Sequence, residues 1–178
     1  MASTNDALWF LQPFQIFSTL GAAVNFGGSV LQSPLIMPML QMPEVPVKYA
    51  GQQTAYLLHH SEHIFPPLNA ACTLSNLITT IIAFLNRNSH SVASAKLPYL
   101  YMATAANIAT TAYALLIMVP MNRKQTAIAE KLKDRENENE EKELRRLQNR
   151  WQRRNYGRAM IMIAGSVAGM MGLLAQHA

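Results

Sequence analysis

The sequence predicts an all-α integral membrane protein, a four-helix bundle with a long charged helical excursion between its third and fourth spans. Three observations carry this. Half of the 178 residues are hydrophobic and only 14% are charged, against about 25% in an ordinary soluble domain. The charge is also segregated, because residues 123–158 hold 12 of the 15 Lys and Arg and 7 of the 10 Asp and Glu. The remainder contains four apolar runs near the roughly 20 residues that a helix needs to cross a hydrocarbon core about 30 Å thick.

The first span runs from about Phe14 to Leu31 (FQIFSTLGAAVNFGGSVL) and the second from about Ile64 to Leu85 (IFPPLNAACTLSNLITTIIAFL). The third, about Pro98 to Val119, reads PYLYMATAANIATTAYALLIMV, and the fourth, residues 159–175, reads AMIMIAGSVAGMMGLLA. None contains Lys, Arg, Asp or Glu. Gly27, Gly28, Gly165, Gly169 and Gly172 let helix backbones approach closely, and Gly165-x-x-x-Gly169 has the small-xxx-small spacing. Residues 1–178 read as one membrane domain. The N-terminus lacks a basic n-region and an A-x-A-like site, so a removable signal peptide is not expected. The single Cys72 excludes an intrachain disulfide.

The charged insert, 123–157, mixes both signs at helical spacing, with Ala127, Leu132, Leu144, Leu147 and Trp151 as sparse apolar positions. That pattern predicts a helix or helical hairpin on or beyond the bilayer. Its 12 basic residues against 7 acidic ones give the 123–158 stretch a net charge of +5. The positive-inside rule then places loops 32–63 and 120–158 on the cytosolic face. Interleaved acids and the lack of a recognition motif argue against a nucleic-acid partner, whereas attraction to anionic lipid needs nothing further.

Uncharged polar residues inside the spans form stripes. Asn69, Thr73, Asn76 and Thr80 step by 4, 3 and 4, and Thr104, Asn107 and Thr111 by 3 and 4; Asn25 sits in the first span. An amide facing lipid leaves donors and acceptors unpaired, so these stripes should face the bundle interior. There they either hydrogen-bond helix to helix or line a cavity for a polar aromatic ligand.

Two polar clusters flank the spans. In YLLHHSEHIFPP (56–67), His59 and His63 are i, i+4, and His59 and Glu62 are i, i+3. This spacing suits a solvated interfacial helix, acid–base chemistry near neutral pH, or a metal held by His59, His63 and Glu62. The second cluster is Asn122 with Trp151, Asn155 and Arg158, the last three sharing one helical face at i, i+4 and i+7. Arg158 can snorkel and Trp151 can anchor at the interface. Alternatively they lid a cavity, with Arg158 holding an anionic group or a developing oxyanion.

At these residues the sequence resembles the anthrone-oxygenase-like group of small four-helix membrane proteins, frequent in fungal natural-product gene clusters. That group tends to carry Pro-x-Asn after the third span and Trp-x-x-x-Asn-x-x-Arg leading into the fourth. Here these read Pro120-Met121-Asn122 and Trp151-Gln152-Arg153-Arg154-Asn155-Tyr156-Gly157-Arg158, and Ser33-Pro34 closing the first span is similar too. The likeness covers most of the chain in length and helix layout, and its specific part is these positions. It implies an endoplasmic-reticulum tailoring enzyme of secondary metabolism that oxygenates an anthrone-like aromatic polyketide. The implied chemistry is base-assisted and cofactor-independent, and the chain shows no GxGxxG fingerprint and no P-loop. In this reading His59, His60 or His63 is the base and Arg158 the enolate-stabilising cation. Asn25, Asn69, Asn76, Asn107, Asn122, Trp151 and Asn155 bind the substrate.

Two departures leave alternatives open. The insert is long and charged for this group, and HHSEH is dense in His. Either suits a divergent member that cyclises, rearranges or oxidises a hydrophobic metabolite, in the last case with a transition metal. A non-catalytic scaffold binding partners through the insert is the alternative from another class. An enzyme predicts a cavity that gathers His59 or His63 with Arg158, whereas a scaffold predicts a filled core. The expected partners are a hydrophobic small molecule and the lipid bilayer, with a second copy of the chain allowed.

Overall fold

The computed structural model describes residues 10–135 and 137–175. Among them the regular structure is entirely helical: α1 (Leu11–Val30), α2 (Met37–Leu40), α3 (Val47–Leu85), α4 (Ser91–Tyr113), α5 (Val119–Asp134) and α6 (Glu138–Leu174). Four stretches are long and apolar enough to cross a membrane: Leu11–Leu40, Val47–Leu85, Ser91–Lys133 and Glu138–Leu174. The all-α class with four spans is therefore the one predicted. Each apolar run is the inner part of a longer helix. The second starts at Val47 rather than near Ile64, because no proline interrupts the chain between Val47 and Phe65.

Two π-helical turns, Gln32–Ile36 and Ala114–Met118, carry the chain into α2 and α5. The first contains Pro34, and the second lies just before Pro120. A proline ring collides with the carbonyl four residues back, which for Pro120 belongs to Leu116. The wider turn accommodates that collision within a helical path.

Burial is inverted relative to a soluble domain. Gln15, Ser18, Asn25, Asn69, Asn76, Thr80, Thr104 and Asn107 are buried, while Leu20, Val24, Leu74, Leu116, Met160 and Val167 are exposed. Hydrocarbon solvates the apolar side chains freely but offers an amide no partner, so the polar groups must pair inside.

The chain divides into two compact units. The first comprises Met1–Phe26, Pro67–Thr111 and Met160–Ala178. Here hydroxyls join helices: Ser75 Oγ donates to Phe14 O at 2.8 Å, Ser18 Oγ to Asn76 Oδ1 at 2.7 Å, and the Thr80 and Thr104 hydroxyls lie 3.0 Å apart. A Cβ on Gly165 would lie 2.9 Å from Ala106 Cβ, and one on Gly169 would lie 2.6 Å from Thr19 Oγ1. The Gly165-x-x-x-Gly169 spacing thus lets α6 pack against α4 and α1. Buried Lys96 donates to Gln15 Oε1 at 2.9 Å.

The second unit comprises Gly27–Pro66 and Ala112–Ala159. Its core is Met37, Leu40, Leu58, Met118, Met121, Leu147 and Trp151. Gln148 Nε2 donates to Thr54 Oγ1 at 2.8 Å, and the Arg145 guanidinium ties down the carbonyls of Leu40 and Val45. Residues 123–157 lie on α5 and α6. Of their sparse apolar positions, Leu132, Leu144, Leu147 and Trp151 are buried, whereas Ala127 is exposed and Ala129 takes the inner position.

Candidate functional site

The polar residues of the second unit meet at Asn122. On α3, Leu58, Glu62 and Phe65 fall at i, i+4 and i+7, one face of the helix. On α6, Trp151, Asn155 and Arg158 repeat that spacing. Asn122 Nδ2 donates to Glu62 Oε1 at 2.8 Å, and Asn122 Oδ1 accepts from Trp151 Nε1 at 2.9 Å. This orientation of the amide is dictated chemically. The indole can only donate and an ionised carboxylate can only accept, so the amide oxygen faces Trp151 and the nitrogen faces Glu62.

A second relay positions Arg158. Its Nη2 donates to Asn155 Oδ1 at 2.7 Å, and Asn155 Nδ2 donates to Ser29 O at 2.7 Å and Ser33 Oγ at 2.8 Å. Gln152 Nε2 closes the bracket on Ser33 O at 2.7 Å. Ser33 therefore fixes the α6 face that carries Arg158, which explains the Ser-Pro ending of the first span. Arg158 Nε is buried without a hydrogen-bond partner among the described residues. A buried orphan donor costs about 1–3 kcal/mol, so it is the natural seat for an acceptor atom of a ligand.

Two hollows adjoin the Asn122 junction. The inner one, about 40 Å³, is lined by Glu62, Phe65, Met118, Asn122, Trp151 and Arg158 together with other residues of the unit. The outer groove, about 460 Å³, is lined by Ala55, Leu58, His59, Glu62, Asn122, Arg123, Thr126, Ala127 and Glu130. Water needs roughly 10–15 Å³ by this measure, so the inner hollow suits only a few small molecules. The groove lies in the roughly 300–1,000 Å³ range of small-ligand sites. Leu58, Glu62 and Asn122 belong to both linings and form their common wall.

Neither hollow gathers a histidine with Arg158: His59 lines the groove, Trp151 and Arg158 line the inner hollow, Glu62 and Asn122 line both, and Asn155 reaches the set only through Arg158. Asn155 spends both amide hydrogens on Ser29 and Ser33 and its oxygen accepts from Arg158, so its role here is to orient Arg158. His60 and His63 line neither hollow, although their rings lie 5.4 and 4.5 Å from that of His59. His60 Nδ1 lies 2.9 Å from Tyr56 O with its ring 3.8 Å from the Tyr56 ring, and His63 Nδ1 lies 2.7 Å from His59 O. Neighbouring positions on a helix point about 100° apart, so His59 and His60 cannot share a groove.

The alternative ligand set His59, Glu62 and His63 is not assembled. Among the described residues no three His, Cys, Asp or Glu side chains are grouped to hold a metal ion, and Glu62 is turned toward Asn122.

Asn25, Asn69, Asn76 and Asn107 belong to the first unit and line neither hollow. Asn25 Nδ2 lies 3.5 Å from Asn69 Oδ1, and Asn69 Nδ2 donates to Asn107 O at 3.1 Å and Thr111 Oγ1 at 2.8 Å. With Asn76 Oδ1 accepting from Ser18 Oγ, these contacts are those of interhelical hydrogen bonding, the other use of such a stripe, whereas Asn107 Nδ2 is buried without a partner among the described residues.

Sequence reasoning weighed Glu62 only as a metal ligand or base beside the His residues. The available signal was its position: it is the carboxylate nearest an apolar span, where a charge is costly without a purpose.

Residues 55–168, more than half of the chain, match the family model described as anthrone oxygenase. That stretch includes His59, Glu62, Asn122, Trp151, Asn155 and Arg158. No curated protein and no solved structure matches the chain.

Proposed function

Because the chain belongs to the anthrone oxygenase family, we propose that it is a membrane-embedded tailoring oxygenase of secondary metabolism. It converts the methylene of an anthrone-like aromatic polyketide to a carbonyl, by base-assisted chemistry that needs no bound cofactor. The observation that carries this reading is the common wall of groove and inner hollow, where Asn122 holds Glu62 on one side while Arg158 lines the hollow beyond.

The aromatic rings occupy the groove, and the substrate carbonyl projects past the Glu62–Asn122 pair into the inner hollow, toward the unpartnered Nε of Arg158. Glu62 removes one proton from the methylene, and the negative charge moves to the carbonyl oxygen, where the guanidinium stabilises it. Asn122 holds the carboxylate in place, and holding a reacting group within about an ångström is worth roughly a hundredfold in rate. The electron-rich enolate reduces O₂ by one electron, and the two radicals combine at the same carbon. The resulting peroxide anion takes up the proton to give the hydroperoxide, which loses its remaining C–H proton as the O–O bond breaks, releasing water. In sum, CH₂ + O₂ gives C=O + H₂O. His59, at the groove wall, passes protons between Glu62 and solvent.

By the positive-inside rule, loops 32–63 and 120–158, and with them the groove, face the cytosol. The endoplasmic reticulum is the membrane that matches the resemblance.

The test is incubation of membranes carrying the protein with a panel of anthrones under ordinary and labelled oxygen, read by product mass. The expected product is the quinone with one oxygen atom from O₂. Label arriving only from water, or no turnover by folded protein, refutes the reading.

A further inference from the structure

We propose that a separate groove between α5 and α6 seats the headgroup of an anionic phospholipid. The groove measures about 260 Å³ and is lined by Leu116, Ile117, Pro120, Met121 and Lys124 on one side and Leu147, Arg150 and Arg154 on the other. It shares none of Glu62, Asn122 or Arg158 with the site above, and it holds whichever reaction the protein performs.

Its composition is graded along the helix. Leu116, Pro120 and Lys124 follow one another at i, i+4 and i+8, about 12 Å of rise, so an apolar floor passes into a cationic end. Leu116 is 77% exposed, as befits a side chain on acyl chains. The lining holds three cations and no acid. Among the described residues none of the three cations has an ion-pair partner; the pairs are Lys131–Glu140, Lys133–Glu130, Lys142–Glu138 and Arg146–Glu143. Glu143, whose field reaches Lys124 and Arg150, is held by Arg146 through two 2.7 Å hydrogen bonds.

The scaffold beneath is fixed. Tyr113 OH donates to Arg154 O at 3.0 Å, and Gly157 leaves room for that phenol, since a Cβ there would lie 3.0 Å from its oxygen. A ligand matching this gradient carries a phosphate at one end and hydrocarbon at the other. Juxtamembrane cations each contribute about 1 kcal/mol to binding such lipids, or about fivefold.

The experiment uses the full chain in phosphatidylcholine nanodiscs doped with phosphatidylserine, with retained phosphatidylserine counted by native mass spectrometry. Lys124→Gln/Arg150→Gln/Arg154→Gln should weaken retention about a hundredfold. Lys131→Gln/Lys133→Gln/Lys142→Gln removes the same charge from paired positions nearby, leaves Arg146 on Glu143, and should leave retention within about threefold. Should the groove triple fail to fold, Arg154→Gln alone should weaken retention about fivefold. Equal loss in both triples overturns the proposal in favour of a diffuse field. Displacement of the lipid by inorganic phosphate overturns it in favour of a simple anion site.

Discussion

Asn122→Ala separates positioning from packing at the centre of the site. The substitution removes the acceptor of Trp151 Nε1, a group on a side chain only 2% exposed. Stranding a buried donor costs about 1–3 kcal/mol, while hydrogen bonds within membrane bundles average about 0.6 kcal/mol. Trp151 lies in a core cluster with Met118 and Leu147 but also lines the inner hollow, where water can replace part of the lost bond, so a loss of about 1 kcal/mol is expected. Glu62 is exposed and adds little to that sum, yet it loses the 2.8 Å bond that aims its carboxylate. Release of a reacting group by about an ångström predicts a drop of roughly a hundredfold in kcat.

Trp151→Phe is the partner experiment. It deletes the same indole bond from the other side and costs about 1–2 kcal/mol, but it leaves Asn122 on Glu62, so turnover should stay within about threefold of the parent. Thermal unfolding in detergent gives the stability change, and product formation from an anthrone gives the rate. If the two variants lose turnover equally, Asn122 acts through packing, and the assignment of Glu62 as a base held by Asn122 is wrong.

Arg158→Ala should abolish turnover in folded protein, and Arg158→Lys should restore only a small part of it, because a point charge cannot hold both Asn155 and a ligand oxygen as a guanidinium fork does; full activity in either removes Arg158 from the mechanism. His59→Gln should slow turnover about tenfold or more while His63→Gln leaves it unchanged, and equal losses would restore the i, i+4 pair as a functional unit. Gly165→Ala should destabilise the protein by about 1–3 kcal/mol through its collision with Ala106, whereas Gly27→Ala, where a Cβ meets nothing within 4 Å, should be neutral in thermal unfolding.

Much of the site was legible from spacing. Trp151, Asn155 and Arg158 share a helical face by arithmetic alone, and Asn122 stands where the third apolar run gives way to charge. What spacing could not resolve was which atom each side chain offers. Asn155 has substrate-binding chemistry on paper, but Ser29, Ser33 and Arg158 use both its amide atoms. The triple His motif reads as one cluster in sequence and its rings do touch, but only His59 lines the groove, while His60 and His63 turn Nδ1 to carbonyls of their own helix. The stripe Asn residues are buried as expected, Asn69 joining Asn25 to the α4 backbone and Asn76 accepting from Ser18, while Thr111 at the end of the second stripe is exposed.

The sequence by itself determined the class, the number of apolar helices and their inward-facing polar stripes, because hydrocarbon solvent imposes length and hydrogen-bond satisfaction on each helix separately. Only the tertiary structure decided that Glu62, not the histidines alone, stands at the wall between groove and hollow. It also decided that Ser33, more than a hundred residues away in sequence from Asn155, orients Arg158. Those outcomes depend on which helix supplies the nearest donor or acceptor, and a linear pattern of residues does not contain that distance.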